Sequence, residues 1–185
     1  METLLGRLLV ATPAIEDGPF WRSVVFVLDH DADGALGVIV NRPLDADICD
    51  VLPQWTDHVD APVCLFGGGP VSEDVALAVA LLGDGPSVEP PVGWQAMSGR
   101  IGLLDLAGPL PEAGQLAGLR VFAGYAGWGP GQLEAEIADA AWVVLEARDA
   151  DLVSPQPLNL WHDVMRRQSD DLRFWSTLPD DPRVN

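Results

Sequence analysis

Two apolar runs, Ser23 to Leu28 (SVVFVL) and Ala35 to Val40 (ALGVIV), are separated only by Asp29-His30-Asp31-Ala32-Asp33-Gly34. An Asp-Gly step between such runs is a strong hairpin signal, because both residues tolerate the backbone angles that a tight turn demands. Neither run alternates apolar with polar, so neither face of this ribbon can be left to water. The pair therefore constrains the whole molecule: the hairpin must lie at its centre, with packing material above and below. Taking Asp33-Gly34 as the two-residue loop, His30 faces Gly37 and Asn41 faces Phe26. His30 then lies near one end of the ribbon and Asn41 near the other. Ser23 and His30 cannot form a catalytic dyad, since seven residues of strand place them about 23 Å apart.

The remaining pattern supplies more strands and two helices. Leu4 to Ala11 reads as a strand ended by Thr12-Pro13, and Pro62 to Phe66, Arg100 to Leu106, Leu119 to Ala123 and Trp142 to Leu145 read as further strands. Val75 to Leu82 fits strand or helix, with strand favoured. Asn41-Arg42-Pro43 closes the second hairpin strand, because proline cannot donate to a ladder. Pro130 suits the first position of a helix that carries Leu133, Ile137 and Ala141 on one stripe. Leu158, Trp161, Val164 and Met165 repeat with helical spacing, and Arg166 and Arg167 complement the dipole at that helix's end. Glycine- and proline-rich stretches over 83–93 and 108–118 read as loops within one domain. The expected domain spans 1–178, with a frayed tail over 179–185.

Charge removes several function classes. The chain of 185 residues has 28 acidic and 10 basic residues, a net charge of -18, so as a whole it repels phosphate backbones and anionic lipid surfaces. Direct nucleic-acid binding is not expected. All ten basic residues are arginine, which excludes a Schiff-base lysine and a phosphate-loop lysine. Cys49 and Cys64 fit neither a CxxC redox pair nor a zinc set and are expected to be buried thiols. The N-terminal residues lack the pattern of a signal peptide, and no uncharged apolar stretch approaches the ~18 residues of a membrane helix. The expected location is the cytoplasm, with no membrane, metal or cofactor.

Three places can carry binding chemistry. At the base of the hairpin Asp17, Arg22, Asn41 and Arg42 gather, and the arginine forks suit a carboxylate or phosphate. The plainer alternative is an Asp17–Arg22 ion pair tying down a loop. Gly67-Gly68-Gly69-Pro70 can form a backbone nest for an anion. The stretch GYAGWGPGQLE, residues 124–134, puts Gly127, Gly129 and Gly131 before a helix start, beside Gln132 and Glu134, where free N–H groups attract anions. Trp128 within it can stack on a ligand or plug the core. Asp29, Asp31, Asp33 and Gly34 match half of a calcium loop, but Val40 stands where the bidentate glutamate belongs, so an acidic turn is expected.

GRLLVATPAIEDGPFWRSVVFVLDHDADGALGVIVNRPL, FGGGPVSED and GYAGWGPGQLEAEI followed by Trp142 closely resemble the YqgE/AlgH family of bacterial proteins, over nearly the whole chain from Gly6 to the region of Trp161. The resemblance implies an α+β fold: a single compact domain with a curved, mostly antiparallel sheet and helices packed on it. It implies no established reaction. Members carry a transcriptional-regulator label through an association with alginate control. The family pattern falls here on Asp17, Arg22, Ser23, His30, Gly34, Gly37, Asn41, Pro43, Gly68, Gly69, Pro70, Gly124, Gly127, Gly131, Gln132, Leu133 and Glu134. An arginine-glycine pair and a histidine often found after the glycine run are replaced across Asp74 to Leu82.

The expected function is noncatalytic binding of a protein partner or a small anionic ligand, with any transcriptional role indirect. The candidate ligand-binding residues are Asp17, Arg22, His30, Asn41, Arg42, Gly68, Gly69, Gly127, Trp128, Gly129, Gly131, Gln132 and Glu134. Two alternatives are a hydrolase or nucleotide-dependent enzyme using His30 or Glu134 as general base, and a regulator that binds DNA directly.

Overall fold

The computed structural model describes residues 3–85, 88–169 and 171–179. The two apolar runs form a hairpin of β2 (Val24–Asp31) and β3 (Gly34–Ile39). Its turn is Ala32-Asp33 and not Asp33-Gly34, since Asp31 pairs with Gly34. The Asp31 carboxylate fixes that turn by accepting the Asp33 N–H at 2.8 Å. The register also differs from expectation: His30 pairs with Ala35, and after a break between Val27 and Asp29, Val27 pairs with Gly37 and Phe26 with Val38. The break is a bulge that leaves Leu28 unpaired, which no local sequence signal marks.

Eight more strands extend the sheet: β1 (Arg7–Ala11), β4 (Pro43–Asp47), β5 (Cys64–Gly67), β6 (Val71–Leu82), β7 (Trp94–Ser98), β8 (Ile101–Leu104), β9 (Leu116–Trp128) and β10 (Trp142–Glu146). The order is β10-β1-β2-β3-β9-β6-β8-β7, all antiparallel, with β5 joined to β9 in parallel and to β4. The sheet curls into a half-barrel within a single domain, an α+β arrangement as expected. Val75 to Leu82 is strand, the favoured reading. Strands β4 and β7 were not expected: the first begins on a proline, where no ladder donor is lost, and the second lies at the sheet edge.

Both faces of the hairpin are covered. Val24, Phe26 and Leu28 point into one core with Leu8, Val38, Trp161 and Met165, while Val25 and Val27 point into a second with Leu9, Ile39, Trp128 and Trp142. Each residue from Val24 to Leu28 is at most 2% exposed. At roughly 1.5–3 kcal/mol for each buried aliphatic or aromatic side chain, this two-sided burial is a large share of what opposes chain entropy.

The helices are short: α1 (Ile48–Val51), α2 (Gln132–Ala138), α3 (Asp149–Leu152), α4 (Leu160–Arg166) and α5 (Asp171–Trp175). Helix α2 starts at Gln132 and not at Pro130, because β9 runs on through the glycine-rich stretch to Trp128 and Gly131, at φ +71°, makes the reversal. Leu133 and Ile137 pack inward, but Ala141 lies beyond the helix end. In α4 Trp161, Val164 and Met165 are buried, whereas Leu158 sits in a preceding 3-10 turn and is 74% exposed. Cys64 is buried as expected; Cys49 is exposed, on α1. Of the expected tail over 179–185 only Pro179 is described.

Candidate functional site

At the tip of the hairpin His30 and Glu134 meet, but the meeting closes a structural knot. The His30 side chain is 2% exposed. Its Nδ1 accepts the Leu4 N–H at 2.9 Å, so Nε2 carries the proton and donates to Glu134 Oε1 at 2.9 Å. Glu134's own backbone N–H, and after it the His30 bond, hold the Glu134 carboxyl below its ordinary range. Beside it, one oxygen of Glu136 accepts both the Trp128 and Trp142 indole N–H groups, at 2.9 and 2.8 Å, and the other accepts from the Gln132 side chain at 2.9 Å. Gln132 in turn accepts the Gly129 N–H at 3.1 Å. Trp128, Phe20 and Trp142 pack against one another, and Trp128 is 5% exposed, so it plugs the second core. Gly127 is a ladder residue paired with Leu36.

The glycine run lies in a seam. Along one edge of β9, strand β5 gives way to β3, and Gly68 joins them: its N–H donates to Ala123 O at 2.9 Å and its carbonyl accepts the Ile39 N–H at 2.8 Å. A Cβ on Gly68 would stand 2.2 Å from Gly124 O, and one on Gly69 2.3 Å from the Tyr125 carbonyl. Close backbone approach therefore requires these glycines. The Gly67 and Gly68 N–H groups are used inside the fold.

The base of the hairpin is arranged differently. Arg22 has φ +51°, a left-handed angle that side chains other than glycine rarely adopt, and Asn41 braces it: Asn41 Nδ2 donates to Arg22 O and Asn41 Oδ1 accepts the Val24 N–H, both at 2.9 Å. The guanidinium lies over the Trp161 ring at 4.8 Å and near Trp21 at 5.2 Å. It donates to His162 Nε2 at 3.0 Å and to the carbonyls of Leu178 and Pro179. Among the described residues there is no Asp17–Arg22 ion pair, and Asp17 is exposed in a bend. Arg42 donates to Pro19 O, and partial burial pulls its guanidinium pKa below the ordinary value.

Two clefts flank Arg22. One, of about 500 Å³, is lined by Trp21, Arg22, Asn41, Arg42, Pro43, Leu158, Asn159, Trp161 and His162. The other, of about 490 Å³, shares Trp21, Arg22 and Trp161 and adds Thr12, Ile15, Glu16, Leu178 and Pro179. Arg42 also borders a smaller cleft with Gly69 and Glu73. The structure thus brings Arg22, Asn41 and Arg42 together, and sets His30, Gly127, Trp128, Gly129, Gly131, Gln132 and Glu134 apart from them at the tip.

The family model for AlgH-like proteins matches residues 8–173. The chain belongs to the AlgH-like family. It is 52% identical to a UPF0301 protein of Streptomyces avermitilis, over 100% of this chain and 97% of the relative, and 46% identical to one of Thermobifida fusca, over 99% and 96%. Among solved structures, the protein DIP2367 of Corynebacterium diphtheriae is similar with a TM-score of 0.88 and 32% identity, over 96% of this chain and 93% of that one. AlgH of Pseudomonas aeruginosa is similar with a TM-score of 0.67 and 26% identity, over 98% and 100%. None of these names specifies a reaction.

Several participating residues were not visible in the sequence. Glu136 serves two tryptophans, and its only trace was a position four after Gln132 on a helix. His162 lay on the polar side of an amphipathic stripe, where nothing distinguishes it from a solvated residue. Arg120, 0% exposed, donates to Ala61 O and Ser154 O at 2.9 Å and lies 4.2 Å from the Phe66 ring; burial drops its pKa to about 10. Asp47, Cys49 and Asp50 place ligand atoms within 4.8 Å of one another, but all three are exposed, and such acidic groups are common without an ion. No described helix is long and apolar enough to cross a membrane.

Proposed function

We propose that this AlgH-like chain is a noncatalytic cytoplasmic binding protein that takes a small anionic ligand or an acidic segment of a protein partner at the base of its hairpin. One observation carries this reading. In a chain of net charge -18, Arg42 borders a cleft of about 500 Å³ whose described lining includes Trp21, Leu158 and Trp161. The Arg42 guanidinium fork beside these apolar side chains suits a carboxylate or phosphate group. The overall negative charge opposes a long polyanion, so any effect on transcription is indirect.

The test is calorimetric titration of the purified full chain with inorganic pyrophosphate and with citrate. Saturable binding that weakens with salt and falls at least tenfold in Arg42→Ala is expected. Absence of saturable binding of either anion, or binding indifferent to Arg42→Ala, would refute the anion cleft.

A further inference from the structure

The smaller cleft that Arg42 borders holds two opposite charges that do not meet. It encloses about 310 Å³, and Arg42 and Glu73 line it with Pro19, Leu44, Pro70 and Ala123. Elsewhere in this acidic chain arginines find carboxylates: Arg7, Arg100, Arg166 and Arg167 each pair with one. Among the described residues Arg42 and Glu73 form an ion pair neither with each other nor with a third residue.

The backbone on each side is built to place these two residues. A Cβ on Gly67 would stand 3.5 Å from Arg42 Cδ and 3.4 Å from Leu44 Cδ2, so both side chains lie on that glycine. Beyond its stem the Arg42 guanidinium donates to Pro19 O. Glu73 owes its place to an irregularity of β6. Val71 pairs with Tyr125 and Ala76 with Ala123, so Ser72, Glu73, Asp74 and Val75 all stand opposite Gly124 alone. A bulge of this kind bends its strand and re-aims the side chains it carries. Ser72 enters it at φ +49°, a left-handed angle that a residue other than glycine keeps only where its surroundings impose it. Gly124 permits the crossing, since a Cβ there would lie 2.8 Å from Val71 O and 3.2 Å from Glu73 Cα.

A simple anion in this cleft is attracted by Arg42 and repelled by Glu73, and a simple cation meets the reverse. A ligand carrying both charges satisfies both residues, and the cleft then discriminates against either half of it. The volume is at the small end of ligand sites, roughly 300–1,000 Å³, and Leu44, Pro19 and Pro70 offer apolar surface beside the charges. We infer that this cleft is a site for a small aliphatic zwitterion of amino-acid size, its carboxylate on Arg42 and its ammonium on Glu73. The inference goes beyond the anion reading and stands without it, because it concerns a different cleft and depends on Glu73.

The test is a titration of the isotope-labelled full chain with L-leucine and with δ-aminovalerate, zwitterions whose charges are adjacent and separated, followed by amide chemical shifts. At least one is expected to shift the amides of Gly69, Glu73 and Ala123 saturably. For the one that binds, the matching compound without the carboxylate (L-leucinamide or pentylamine) and the one without the ammonium (isocaproate or valerate) should each bind at least tenfold more weakly. Glu73 is exposed, so Glu73→Gln leaves the fold intact; it should lose at least tenfold in zwitterion affinity and keep pyrophosphate affinity within about twofold. Absence of saturable shifts with both zwitterions, equal affinity for a compound missing one charge, or indifference to Glu73→Gln would overturn the inference. Pyrophosphate titrated into the same samples separates the two claims. Pyrophosphate binding without zwitterion binding sinks the zwitterion site alone, and zwitterion binding without pyrophosphate binding sinks the anion reading alone.

Discussion

The tip and the base of one hairpin are both rich in polar side chains, and they use them in opposite ways. At the tip His30, Glu134, Gln132, Glu136 and two indoles bond to each other and to backbone, with both nitrogens of His30 engaged. At the base Arg22 and Arg42 meet main-chain carbonyls, a histidine ring and two open clefts of about 490 and 500 Å³. A closed network consumes its own donors and acceptors and contributes rigidity, while one that opens onto a cleft retains the capacity to exchange partners. The difference teaches that the histidine–glutamate pair, the most enzyme-like feature of the sequence, ties the chain before β1 to β2 and α2, whereas the arginines face the available space.

If that contrast is right, damage at the tip should show mainly as lost stability. The largest effect is expected from Trp128→Ala, which empties the centre of the second core and leaves Phe20 and Trp142 without their neighbour: about 3–5 kcal/mol by urea unfolding. A loss below about 1 kcal/mol would mean that Trp128 does not plug the core. Next comes Glu136→Ala, which removes the acceptor of two buried indole N–H groups and should cost about 2–3 kcal/mol. Anion binding at the base should be unchanged in both variants, provided they remain folded, and a changed affinity would break the separation of the two ends.

The fold was legible where burial is local and two-sided. SVVFVL and ALGVIV declare a covered hairpin because Val24 to Leu28 and Ala35 to Val40 carry no polar side chain and so leave no wet face. The register was not legible, since the bulge at Leu28 is selected by neighbouring strands and not by its own residues. The glycine-rich stretch 124–131 misled for a related reason: it looks like a loop, but Gly124 is a glycine because the backbone of Gly69 and Val71 passes close to it, and β9 continues through it to Trp128. Of the candidate site, the gathering of Arg22, Asn41 and Arg42 followed from the hairpin itself. What completes it, Trp161, His162 and the carbonyls of Leu178 and Pro179, arrives from residues more than a hundred positions away, a contact that no spacing rule reaches.

The acid limb of stability sharpens the comparison further. Glu134 ionises more readily in the folded chain than at its ordinary value of 4.5, so its contribution is present in full above that value and drains as pH falls through the lowered one. Glu134→Gln should reduce stability at pH 7 and make it less dependent on pH below about 4.5, measured by urea unfolding across that range. An unchanged acid limb would remove the His30–Glu134 bond from the account of the tip.

The smallest stability change and the largest binding change are expected together, at Arg42. Its side chain makes one bond to Pro19 O and lies over no aromatic ring among the described residues, so Arg42→Ala should cost less than about 1 kcal/mol in urea unfolding. Arg42→Lys separates charge from shape. If the cleft attracts anions by field alone, lysine restores pyrophosphate affinity to within about twofold; if it grips two oxygens at once, lysine loses most of what alanine loses, because an ammonium cannot present the planar fork. The apolar walls of Trp21 and Trp161 favour the second outcome, since a confined site rewards fixed geometry over diffuse attraction. A lysine variant as tight as the unaltered chain would leave the base as a patch of positive potential, no more specific than charge.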